Sequence, residues 1–153
     1  MQGPCFYPAG HLWLYALIDK YIFSTFVHCE MIFTILSIFV QSCSLFIIVS
    51  IARRYFNSEP SRAQIIGFLI LSNQSLHELY QFLYNETFQE FFVLFAIFSM
   101  TVLNRPVLAA IVLSWAISLK ALAILLLPGM LGWIQYKHGT ITLLASIAVI
   151  IVV

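Results

Sequence analysis

Residues 31–51, MIFTILSIFVQSCSLFIIVSI, hold no charged side chain. At ~1.5 Å per helical residue such a run crosses a hydrocarbon core of ~30 Å. Arg53 and Arg54 follow at once, as basic residues do at the cytoplasmic edge of a span. This stretch decides the fold class: all-α, a polytopic transmembrane helical protein.

The rest of the chain agrees. Of 153 residues, 62% are apolar and 8% charged, against roughly 25% charged in a soluble domain. The charges gather in short clusters between apolar runs, which is how bilayer spans are punctuated. A net charge of +1 gives no reason to expect a nucleic-acid partner. Cys5, Cys29 and Cys43 form no CxxC and no ligand spacing with histidine, so neither a disulfide framework nor a metal site is indicated. No basic region opens the chain, and Asp19 and Lys20 break the first apolar stretch, which does not read as a signal peptide.

Read along the chain, residues 1–30 form a loop and an interfacial helix, and residues 31–153 form transmembrane helices. The spans are expected at about 31–51, 63–84, 88–104 and 107–135, the last with a break near 120–129. A final run, 140–153, is incomplete, being too short to cross. Residues 11–27 mix Trp13, Tyr15, Tyr21 and Phe26 with Asp19 and Lys20. That mixture suits a helix lying at the membrane surface better than one crossing it. If the first three spans each cross once, Arg53, Arg54, Arg62 and Arg105 share one side, expected to be cytoplasmic. Glu30, Glu78, Glu86 and Glu90 then lie on or near the other side. One helix running through from Val107 would put Lys137 and His138 on the non-cytoplasmic side. Two shorter helices meeting near Lys120 and returning obey the charge rule, and that arrangement is preferred; irregular backbone at membrane depth needs protein or a wet cavity around it.

Lys120 is the sharpest single position. It lies ~20 Å into the core beyond Pro106, counting ~1.5 Å per residue. A lysine there costs at least ~2.5 kcal/mol unless it faces a cavity or partner. A lipid-linked phosphate fits a compact ammonium charge; snorkelling or a structural pairing with a glutamate is the alternative. Glu86 and Glu90 stand four apart and share one helix face. A helix N-terminus favours carboxylates by its dipole, and a catalytic base is the second reading, stronger for Glu86. His77 reads first as a hydrogen-bonded packing residue. Asn73-Gln74-Ser75 and Asn85-Glu86-Thr87 match the glycosylation sequon, but one lies in a span and the other at its edge, so neither is expected to be modified.

Residues 3–15, GPCFYPAGHLWLY, form a loop stiffened by two prolines and turned by two glycines. This stretch resembles the GPxxYPAGxxxxY motif of the endoplasmic-reticulum α-1,3-mannosyltransferases that use dolichyl-phosphate mannose. Ala116 through Lys120 to Pro128-Gly129 is similar to that family's SVKxNxLLxxPG segment. His77 through Asn85-Glu86 resembles its RxHSxxxLRxFND segment, with departures. Ser75 stands for the arginine before the histidine, Glu86 for the aspartate, the spacing is one residue shorter and the second arginine is absent.

The resemblance implies part of a GT-C-type glycosyltransferase membrane module in the endoplasmic-reticulum membrane, active at the luminal face. It implies mannosyl transfer from dolichyl-phosphate mannose to the five-mannose dolichyl-pyrophosphate oligosaccharide, in α-1,3 linkage, for protein N-glycosylation. The lipid bilayer is the third partner, and no cofactor is called for. Lys120, Tyr7, His11, His77 and Asn85 become substrate-binding candidates and Glu86 the catalytic candidate. The family's main carboxylate is expected upstream of Met1, making this chain a fragment or divergent remnant without a complete active site. Two other readings stay open. One is another transferase using lipid-phosphate sugars; the other is a non-catalytic membrane protein or complex subunit, for which Lys120 and Glu86 would be replaceable.

Overall fold

The computed structural model describes residues 9–24, 29–56, 60–71 and 86–152. Helix α1 (Ala9–Ile18) runs into a π-helical turn, Asp19–Phe23. Then come α2 (Cys29–Tyr55), α3 (Pro60–Leu71), α4 (Glu86–Thr101) and α5 (Pro106–Leu119). A 3₁₀ stretch, Ala121–Leu126, leads into α6 (Leu127–Val152).

Helix α2 contains no glycine or proline, and three of its serines bond to its own backbone. Ser37, Ser42 and Ser50 each donate to the carbonyl four residues earlier, at 3.0, 2.9 and 2.7 Å. A serine satisfied in this way leaves no open donor for lipid to strand. Prolines open α3 and α5, where the missing N–H would have had no helical partner. Helix α4 gives way at Asn104, whose φ of 57° is left-handed, a conformation asparagine tolerates better than most residues. The N–H of Arg105 donates to the Ser99 carbonyl at 2.8 Å and closes that turn.

The orientation of the helices follows from their contacts. Phe33 and Phe88 sit with ring centroids 6.1 Å apart, which joins the start of α2 to the start of α4. Further along, Ile51 and Tyr55 of α2 line one cavity with Leu94 and Ile97 of α4. These two helices therefore run in the same direction. Helix α3 folds back on α2: a Cβ on Gly67 would stand 3.0 Å from Val49, and the Arg62 guanidinium lies 5.9 Å from the Phe56 ring centre. Arg53, Arg54 and Arg62 thus gather at one end of the bundle. Arg105, just beyond α4, belongs to the same end.

Among the described residues, two apolar clusters hold the helices. One joins Ala96 of α4, Ala109, Ala110, Leu113 and Ala116 of α5, and Met130 and Ile134 of α6. The alanines let these helices approach closely, the device that replaces hydrophobic driving force inside lipid. The other joins Ile18, Phe33, Phe88 and Leu119, and lies at the end away from the arginines.

Among the described residues, two segments are long and apolar enough to cross a bilayer, Met31–Tyr55 with 25 residues and Ala121–Val152 with 32. Only 22% and 11% of their most apolar windows are buried inside the protein. A core helix of a soluble protein would be mostly covered. Phe46 and Leu125 are 69% and 72% exposed. In water each such side chain would forgo about 1.5–3 kcal/mol of burial; in lipid tails that penalty is absent.

Candidate functional site

Helix α5 stops at a lysine with neither glycine nor proline to stop it. Lys120 takes extended backbone angles, φ −151° and ψ 120°. Its N–H still donates to the Ala116 carbonyl at 3.1 Å, and its own carbonyl accepts from Ala123 N–H at 3.2 Å. Beyond it the chain turns back. Leu113, seven residues before Lys120, lines one cavity with Leu126, Gly129 and Met130, six to ten residues after it. A straight continuation would separate those groups by ~20 Å or more. Lys120 therefore sits at the apex of a hairpin, half-buried, with Pro128 accommodated in the first turn of the returning helix.

Three elements meet around that apex. Leu119, 1% exposed, packs in one cluster with Ile18 of α1, Phe33 of α2 and Phe88 of α4. Helix α1 lies across the end of α5 with Gly10, Leu14 and Ile18 inward, positions spaced by four along one helix face. Gly10 is buried and touches the last turn of α5: a Cβ built on it would stand 2.7 Å from the Ser118 carbonyl oxygen and 2.8 Å from its carbonyl carbon. The Ser118 hydroxyl itself donates to the Trp115 carbonyl at 2.8 Å. On the opposite side of α1, Trp13, Leu17 and Tyr21 are exposed at 67%, 50% and 60%, and Lys20 Nζ lies 5.5 Å from the Tyr21 ring centre.

Helix α4 begins at Glu86, so the N-terminal ends of α4 and the C-terminal end of α5 face the same region. The helix dipoles favour an anion at the first and a cation at the second. Residues Glu86 and Lys120 have those signs. Glu90 stands one turn into α4 and is partly covered. The Glu86 and His11 side chains, and all of Tyr7, His77 and Asn85, lie outside the described residues. Among the described residues no three His, Cys, Asp or Glu side chains gather as a metal would need. The arrangement puts a positive charge at a helix turn beside α1 and near the start of α4.

Reading the sequence alone missed the part played by Gly10 and Ser118. Gly10 was legible only as a turn-forming glycine. The signal that could have found its role is the spacing Gly10, Leu14, Ile18, which puts the glycine on the apolar packing face rather than in a loop.

Apolar helices with their outer faces uncovered define a polytopic helical membrane protein. Within that class, the chain belongs to the ALG3 protein family, whose model matches residues 1–153. That family transfers mannose in α-1,3 linkage from dolichyl-phosphate mannose to the five-mannose dolichyl-pyrophosphate oligosaccharide of N-glycosylation. Searches of curated proteins and of solved structures each returned no match.

Proposed function

We propose that the hairpin apex at Lys120 holds the phosphate of dolichyl-phosphate mannose at the luminal face of the endoplasmic-reticulum membrane. The observation that carries this reading is the meeting of α1, the Lys120 turn and the start of α4 at the bundle end opposite Arg53, Arg54, Arg62 and Arg105. Basic residues mark the cytoplasmic side of membrane proteins, so the opposite end is luminal.

In the transfer, an acceptor hydroxyl oxygen attacks the anomeric carbon of mannose from the face opposite the phosphate. The bond from that carbon to the phosphate oxygen breaks, and its electron pair leaves with dolichyl phosphate. The hydroxyl proton passes to a carboxylate, as an inverting displacement requires. Negative charge grows on the leaving phosphate, and Lys120 stabilises it there. Glu86, at the start of α4, is the carboxylate this chain offers as proton acceptor. Tyr7, His11, His77 and Asn85 are assigned to substrate contacts on the same luminal side.

The test is complementation of cells lacking the α-1,3-mannosyltransferase, using the full open reading frame of this gene and reading the size of the lipid-linked oligosaccharide. Growth of the five-mannose lipid by one mannose, lost in Lys120→Ala, is the expected result. Persistent five-mannose lipid, with the protein present and inserted, would sink the assignment. Full activity in Lys120→Ala would remove Lys120 from it.

A further inference from the structure

We infer that Gly10 is a positioning residue for Lys120: the close approach it allows between α1 and the last turn of α5 sets the point from which the lysine leaves the helix. The inference rests on the reading of Lys120 as the donor-phosphate contact.

Lys120 leaves α5 in extended backbone, φ −151° and ψ 120°. No glycine or proline defines the stop of α5. Two backbone hydrogen bonds flank it, from Lys120 N–H to the Ala116 carbonyl and from Ala123 N–H to the Lys120 carbonyl. From outside comes α1. Gly10 meets the Ser118 backbone, and Leu14 and Ile18 continue the same face onto the Leu119 cluster. The contact at Ser118 is with its hydroxyl and also with its carbonyl group, which is backbone and not the end of a flexible side chain. A methyl group at position 10 would overlap that carbonyl oxygen at 2.7 Å. It cannot be relieved by a rotamer change, so α1 and the end of α5 must separate. The residue displaced with Ser118 is Lys120, two positions on. A displacement of about 1 Å at a group that stabilises developing charge costs on the order of a hundredfold in rate.

The contact also joins two stretches that the sequence keeps far apart, the glycine- and proline-bearing loop region and the lysine-bearing turn. It gives the start of α1 a physical task in the reaction, holding the geometry of a distant cation. Gly132 provides the comparison. It too is helical, and a Cβ there meets nothing within 4 Å.

The experiment measures kcat and KM for dolichyl-phosphate mannose in membranes from deficient cells expressing the full open reading frame, normalised to correctly inserted protein. The variants are Gly10→Ala, Lys120→Ala, the two combined, and Gly132→Ala. Gly10→Ala is expected to lower kcat/KM per inserted molecule by about 10- to 100-fold, and Gly132→Ala to leave it unchanged. In the Lys120→Ala background, Gly10→Ala should cost nothing further, because the group it positions is gone. Multiplying losses in the double variant would show that Gly10 acts apart from Lys120 and overturn the inference. A Gly10→Ala protein that is merely less abundant, with kcat and KM unchanged per molecule, would also overturn it. Full activity in Lys120→Ala alone would instead sink the reading beneath it.

Discussion

Phe33 and Phe88 meet with ring centroids 6.1 Å apart and planes tilted at 44°, and this pairing makes α2 and α4 parallel neighbours. Both rings are buried, at 3% and 7% exposure. Further along, Tyr55 of α2 and Ile97 of α4 line one cavity, so both helices run toward the arginine end. The end where α1 meets the Lys120 turn and the arginine end thereby lie at opposite ends of α2.

That separation predicts a definite topology. Single cysteines introduced at Tyr55 and Asn104, in a chain whose native cysteines are replaced, should react with a membrane-impermeant maleimide from the cytosolic side of intact microsomes. A cysteine at Trp13 should react only after the membrane is opened. Labelling of all three from the same side would contradict the parallel arrangement.

Phe88 carries much of the joint between α2, α4 and α5. Phe88→Ala should lower thermal stability in detergent by about 3 kcal/mol, the usual cost of emptying a buried phenylalanine site. Phe46→Ala, at a ring 69% exposed to lipid, should change it by well under half as much. Equal melting temperatures for the two variants would show that the Phe33–Phe88 contact does not hold the bundle.

Lys120 is expected to need its shape as well as its charge. Lys120→Ala should reduce transfer by about 100- to 1000-fold, the scale for removing one preorganised stabilising group from developing charge. Lys120→Arg should recover part of that loss, since the charge survives while the planar fork replaces a compact ammonium. Activity measured per inserted molecule for the pair decides the matter, and equal rates in both variants would deny any role for the charge.

Gly139 interrupts α6 with φ 81° and ψ 178°, a region open almost only to glycine. Gly139→Ala should cost about 1–3 kcal/mol of stability for that backbone strain, although the space around a new Cβ is empty. The neighbouring bonds from Gln135 Nε2 to Thr140 Oγ1 and from Thr142 Oγ1 to the His138 carbonyl, both 3.2 Å, would be disturbed with it. Gly132→Ala is the matched comparison and should be neutral or slightly stabilising. Equal stability of the two variants would mean that the break at Gly139 is not required.

The membrane-helical character of the chain was legible in its residues, because hydropathy over ~20 consecutive positions is a local property and the bilayer has a set thickness. The lysine at position 120 stood out for the same reason: one charge within apolar neighbours is costly wherever the helices go. The shared side of Arg53, Arg54, Arg62 and Arg105 followed from counting crossings. What packs against what was not written locally. The parallel course of α2 and α4 rests on a ring contact between Phe33 and Phe88, two of fourteen phenylalanines in the sequence, and composition cannot say which of them meet. Gly10 and Ser118 each look unremarkable in their own stretches. Only the crossing of α1 over the end of α5 puts the glycine where a single methyl group would collide with backbone, because helix packing selects contacts by shape across the whole bundle, not by the pattern along one segment.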